Sequence, residues 1–98
     1  MLEVSILLDY YSELLSDRQK EYLLEHFEGD LSLSEIGKKY NVTRQAVYDN
    51  IRRGIKILRD YEEKIGFHKR DLELLSQLKE LKKDFKLEKL EEIIEKNF

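Results

Sequence analysis

Three short polar signals stand just ahead of runs whose apolar residues recur every three or four positions: Ser16 with Gln19, Ser32 with Glu35, and Thr43. A Ser or Thr at such a place accepts from backbone N–H groups that a helix start leaves unbonded. A Glu or Gln three residues on returns the bond to the cap's own N–H. The signals commit the chain to helices with defined starting points. The composition agrees, since Leu, Glu and Lys supply 43 of the 98 residues and there is no proline. Long unbranched side chains lose little freedom in a helix. The expected fold class is all-α, a helix-turn-helix bundle of about five to six helices.

The spacing predicts a first amphipathic helix over Leu2 to Leu15, with Leu2, Ile6, Leu7, Tyr10, Leu14 and Leu15 on its inward face. A second helix follows Ser16, with Tyr22, Leu23 and Phe27 inward, and ends near Gly29–Asp30. Gly29 and Gly66 sit where helical patterns stop, as left-handed helix ends would. A short third helix runs from Leu33 to Tyr40. A fourth, capped by Thr43, continues to about Ile65, with Val47, Ile51, Ile55 and Leu58 inward. The stretch from Arg70 to Phe98 reads as two helices. One carries a stripe of Leu74, Leu78, Leu81 and Phe85. The other, capped by Asp84, carries Leu87, Leu90, Ile94 and Phe98.

The net charge of -3 in bulk opposes a nucleic-acid partner. The distribution of that charge along the chain points the other way. Residues 1–31 hold eight acids and two bases, residues 32–59 seven bases and two acids, and residues 60–98 eleven acids and nine bases. Screening limits the reach of a charge to ~8 Å at physiological salt, so a local basic face outweighs the average.

The basic island coincides with the stretch Leu33 to Val47, which has the pattern of a helix-turn-helix. Ile36, Val42, Val47 and Ile51 are apolar where two crossed helices bury a face. Gly37 is small where the second helix comes closest. Asn41 can take the left-handed conformation the turn needs. Arg44, Gln45, Tyr48, Asp49 and Arg52 then lie on the exposed face of the second helix, whose N-terminal residues reach base edges in this motif. The candidate nucleic-acid-binding residues are Lys38, Lys39, Thr43, Arg44, Gln45, Tyr48, Arg52, Arg53 and Lys56. Arg44, Gln45, Tyr48 and Arg52 are assigned to bases or RNA grooves, and Lys38, Lys39, Arg53 and Lys56 to phosphates. Asp49 on the same face can accept from a cytosine amino group but repels phosphate.

Other chemistries find little support. His26 and His68 are single and far apart, so no metal site is expected. No Ser/His/Asp set or glycine-rich phosphate loop is visible, so neither enzyme nor cofactor is expected. The absence of cysteine fits a reducing compartment. Apolar runs are far shorter than the ~20 residues of a membrane span, so no membrane insertion is expected.

The segments Leu15 to Gln19, Asp30 to Ile36 and Val42 to Val47 resemble the fourth-region DNA-binding domain of bacterial sigma factors. The resemblance is closer to the YlxM family of small bacterial helix-turn-helix proteins, and it extends from Leu8–Tyr11 through Tyr48–Arg53 to about Phe67. It implies a cytoplasmic regulatory protein of the signal recognition particle pathway, meeting DNA or the particle's RNA. It leaves open an interaction module that docks on the targeting GTPase without nucleic acid. The division expected is a helix-turn-helix domain over 1–67 and C-terminal helices over 68–98. Those helices pack on the same domain or join two copies, and a homodimer is the favoured reading.

Overall fold

The computed structural model describes residues 2–98. Its elements are α1 (Leu2–Tyr11), a single 3-10 turn (Ser12–Leu14), α2 (Asp17–Phe27), α3 (Leu33–Tyr40), α4 (Arg44–Ile65), α5 (Phe67–Lys83) and α6 (Leu87–Asn97). There is no strand among the described residues. The class is all-α, with six α-helices among the described residues. Two compact units divide at Ile65 and Gly66.

In the first unit, α4 packs against α1, α2 and α3. The core consists of Val4, Leu7, Leu8, Tyr11, Leu15, Tyr22, Leu23, Ile36, Val47, Ile51 and Leu58. No polar or charged residue is buried among the described residues. Tyr11 lies in the core and keeps its hydroxyl satisfied by donating to Glu62 Oε1 at 2.6 Å.

The caps form as their residues dictate. Ser16 and Gln19 exchange bonds at 3.3 Å, and Ser32 and Glu35 do so at 3.0 Å. The Ser32 backbone N–H holds the Glu35 carboxyl below the usual carboxylate range, with the Ser32 hydroxyl adding to it. Thr43 Oγ1 accepts from Ala46 N at 3.0 Å and starts α4. Gly66 (φ 72) ends that helix in the left-handed region, where a side chain would be strained.

Several expectations need correction. The first helix stops at Tyr11, and its buried face is Val4, Leu7, Leu8 and Tyr11. Leu2 and Leu14 are exposed and Ile6 and Tyr10 are half-buried. Apolar residues lie almost all round α1, so spacing alone does not select the face. The left-handed residue after α2 is Asp30 (φ 58) rather than Gly29. A short Asp side chain tolerates that region, and Leu31 N then bonds Glu25 O at 3.0 Å. Asp84 does not cap α6. It closes α5, Lys86 precedes α6, and no side chain caps that start. In the second unit, where α5 and α6 pack together, only Leu81 and Ile93 are buried. Leu78, Phe85, Leu87, Ile94 and Phe98 of the expected stripes are exposed.

Two glycines inside helices have packing reasons. A Cβ on Gly54 would lie 2.7 Å from Leu23 Cδ1, so α2 and α4 touch through this position. A Cβ on Gly37 would lie 2.8 Å from the Val42 carbonyl oxygen. The first obstacle is the end of a side chain and the second is backbone in a tight turn. Gly37→Ala is therefore expected to destabilise by about 1–3 kcal/mol, as overpacking does. Gly54→Ala should change stability less, because Leu23 can swing and Ala gains up to about 1 kcal/mol of helix propensity. Urea unfolding of the two variants measures the order.

Candidate nucleic-acid interface

The turn between α3 and α4 is three residues long. Asn41 (φ 55, ψ 48) occupies the left-handed region, Val42 N bonds Gly37 O at 2.9 Å, and Asn41 N bonds Lys38 O at 3.4 Å. These are the paired bonds of a Schellman helix end, with Asn in the place usually taken by Gly. Ile36 and Val47 are fully buried on either side of the turn. Val42, expected in the same buried face, is 40% exposed. Its backbone is held by the turn while its side chain stays at the surface.

This geometry places Arg44, Gln45, Tyr48, Asp49, Arg52, Arg53 and Lys56 on the exposed surface of α4. Val47, Ile51, Gly54 and Leu58 of the same helix are buried. Lys38 is exposed near the end of α3, and Thr43 is exposed in the turn with its hydroxyl committed to the cap. Among the described residues, Lys38, Arg44, Arg52 and Arg53 have no ion-pair partner. Lys56 pairs with Asp60 at 3.1 Å on an exposed face, a contact worth little in water. Gln45 Nε2 donates to Asp49 Oδ1 at 3.0 Å, which occupies one oxygen of the acid on this outer face.

Lys39 is placed differently from the other candidates. Its ammonium hydrogen-bonds Glu25 Oε1 on α2, and Tyr40 donates to the same oxygen at 3.0 Å. The bond from Lys39 holds the Glu25 carboxyl below the usual carboxylate range; burial opposes it, and Tyr40 adds to it. Glu25 Oε2 is buried and has no hydrogen-bond partner among the described residues. The Arg18 guanidinium lies over the Tyr40 ring at 4.5 Å, and Tyr22 meets Tyr40 edge-on at 5.1 Å. Lys39 thus ties α3 to α2 beside the candidate interface.

Two of the shallow grooves along α4 lie on its basic stretch. One, of about 280 Å³, is lined by Asp49, Arg52, Arg53 and Lys56. The other, of about 460 Å³, is lined by Ile51 and Ile55 with Tyr48, Arg52, Lys56, Arg59 and Asp60. Arg59 is not among the residues expected from the motif. Its place three residues beyond Lys56 and seven beyond Arg52 is the signal that would have included it. In the structure it also pairs with Glu3 at 3.2 Å.

His26 has a structural role: its Nδ1–H donates to the Leu31 carbonyl at 2.7 Å, fastening the end of α2 to the following loop. No group of three metal-ligating side chains occurs among the described residues. No helix among them is long and apolar enough to cross a membrane.

A short helix, a tight left-handed turn and a longer helix with a basic outer face define a helix-turn-helix protein. The family described as "Putative helix-turn-helix protein, YlxM / p13 like" matches residues 1–97. The chain belongs to that family. A UPF0122 protein of Fusobacterium nucleatum is 55% identical over 94 residues, covering 96% of this chain and 91% of its own. Another from Halalkalibacterium halodurans is 45% identical over 83 residues, 81% of this chain and 75% of its own. One from Lactococcus lactis subsp. cremoris is 36% identical, with 97% and 93% covered.

The Glu25 cluster carries a pH dependence. A carboxyl whose pKa is lowered on folding stabilises the protein above its unfolded pKa, about 4.3. That contribution is lost as the pH falls through the lowered, folded value. Wild type should be more stable than Glu25→Gln at pH 7, and the difference should shrink toward zero as acid protonates Glu25. Urea unfolding of both proteins at neutral and acidic pH measures it.

Proposed function

We propose that this chain is a nucleic-acid-binding regulatory protein whose α4 presents the contact surface. The observation that carries the reading is the set Lys38, Arg44, Arg52 and Arg53. All four are exposed, all lack an ion-pair partner among the described residues, and all stand on the two helices of the motif. A solvated cation can release counterions from phosphate, whereas one already neutralised gains less. Arg44, Gln45, Tyr48 and Arg52 occupy the stretch that faces bases when such a helix enters a groove. Lys38, Arg53 and Lys56 are the phosphate contacts. Thr43 supports the site by starting α4, and Lys39 supports it by fixing α3 on α2.

The ligand is DNA or structured RNA. The resemblance to the family directs the choice toward the RNA of the signal recognition particle in the cytoplasm, with regulation of co-translational targeting as the role. A second reading, docking on the targeting GTPase, draws on the acids concentrated in residues 1–31, among which Asp9, Glu13, Asp17, Glu21 and Glu28 are exposed.

Arg44→Ala combined with Arg52→Ala should weaken binding to duplex DNA or to structured RNA by at least tenfold, since a good base contact is worth about 1–3 kcal/mol. Fluorescence anisotropy at low salt reads it. Absence of wild-type binding to either nucleic acid, or an unchanged affinity in the double variant, would overturn the proposal. Capture of the GTPase that survives the double change would favour the second reading.

A further inference from the structure

The second unit is a two-helix hairpin whose apolar surface is mostly unused. Leu81 on α5 and Ile93 on α6 are its buried residues, each 8% exposed, with Leu74, Gln77, Leu90 and Asn97 partly covered beside them. Asn97 Nδ2 donates to Gln77 Oε1 at 2.9 Å and closes the open end. Each helix carries a further apolar stripe beside the one spent on its neighbour. On α5 it is Leu72, Leu75 and Leu78, at three-residue steps, and on α6 it is Leu87, Ile94 and Phe98, at steps of seven and four. These six are 42–89% exposed. An apolar face wide enough for two neighbours is the pattern of a helix in a bundle, not in a pair.

The charges beside these stripes are complementary between the two helices. α5 carries five bases against three acids, and α6 four acids against two bases. Among the described residues, Lys79, Lys82 and Lys83 on α5 have no ion-pair partner, nor do Glu91, Glu92 and Glu95 on α6. Lys79 and Lys82 continue the exposed side of α5 beyond Leu78. Glu91 and Glu95 flank Ile94 on α6. A surface basic on one helix and acidic on the next is complementary to itself after a two-fold rotation, which brings each helix against the opposite one.

We propose that the α5–α6 hairpin is the self-association surface of this protein. Two copies join there as a four-helix bundle, with α5 of each against α6 of the other. The six exposed apolar residues of each copy form the shared core, and Lys79 and Lys82 face Glu91 and Glu95 of the second copy. The arrangement gives the assembly two copies of α4. It does not rest on the nucleic-acid reading, because the hairpin's own apolar and charged faces carry it.

Light scattering of the full chain at micromolar concentration, without nucleic acid, tests the proposal. The expected mass is twice the 11.9 kDa of one chain. Leu75→Glu with Ile94→Glu alters exposed positions only, and should give the single-chain mass with circular dichroism unchanged. Lys79→Glu with Lys82→Glu should shift the dimer toward monomer, and adding Glu91→Lys with Glu95→Lys should restore it. A monomeric wild type would overturn the proposal and leave these faces to the same chain or another protein. A dimer that withstands the Leu75 and Ile94 changes would overturn it too, by placing the contact elsewhere.

Discussion

The close approach of Gly37 to the Val42 carbonyl is the constraint on which the exposed face of α4 depends. With no side chain at 37, the chain can reverse over Asn41 within three residues and bond back to α3. That reversal lets Thr43 start α4 beside the end of α3. It also sends Ile36 and Val47 into one core. The exposed positions of α4 follow from which of its residues are buried. Val47, Ile51, Gly54 and Leu58 face inward, so Arg44, Tyr48, Arg52 and Lys56 cannot.

A second layer of interactions holds this pair of helices in place. Glu25 on α2 receives both Lys39 and Tyr40 from α3. Leu23 on α2 fills the space that Gly54 leaves on α4. α2 thus acts as a brace for both halves of the motif. The separation of labour among the cations has a physical basis. Lys39 is spent on the brace, whereas Lys38, its neighbour in sequence, remains in solvent and has no ion-pair partner among the described residues. Adjacent residues on a helix point in different directions, so one lysine of the pair can tie two helices together while the other stays at the surface.

Much of this is legible in the sequence where the signal is local. The capping boxes, the Asn41 turn, the Thr43 cap and the ends of α3 and α4 all follow from residues within a few positions of one another. The exposed face of α4 is legible because its apolar residues recur strictly and its polar ones are charged. Local signals fail where they are ambiguous or where the partner is distant. α1 is apolar on too many sides for spacing to pick its buried face. Spacing presents the stripes of α5 and α6 as single faces, although each helix carries two. Nothing near Lys39 announces Glu25, fourteen residues earlier. The choice of Asp30 over Gly29 for the left-handed position depends on a bond from Leu31 back to Glu25, which spacing does not reveal.

The outer face of α4 as the surface that meets nucleic acid is the central claim. Backbone amide NMR during titration with duplex DNA and with structured RNA at low salt tests it most directly. The largest shifts are predicted to fall on residues 43–56 and on Lys38, and to fade as salt is raised. Shifts confined to α1 and α2 or to α5 and α6, or no shifts with either nucleic acid, would contradict it.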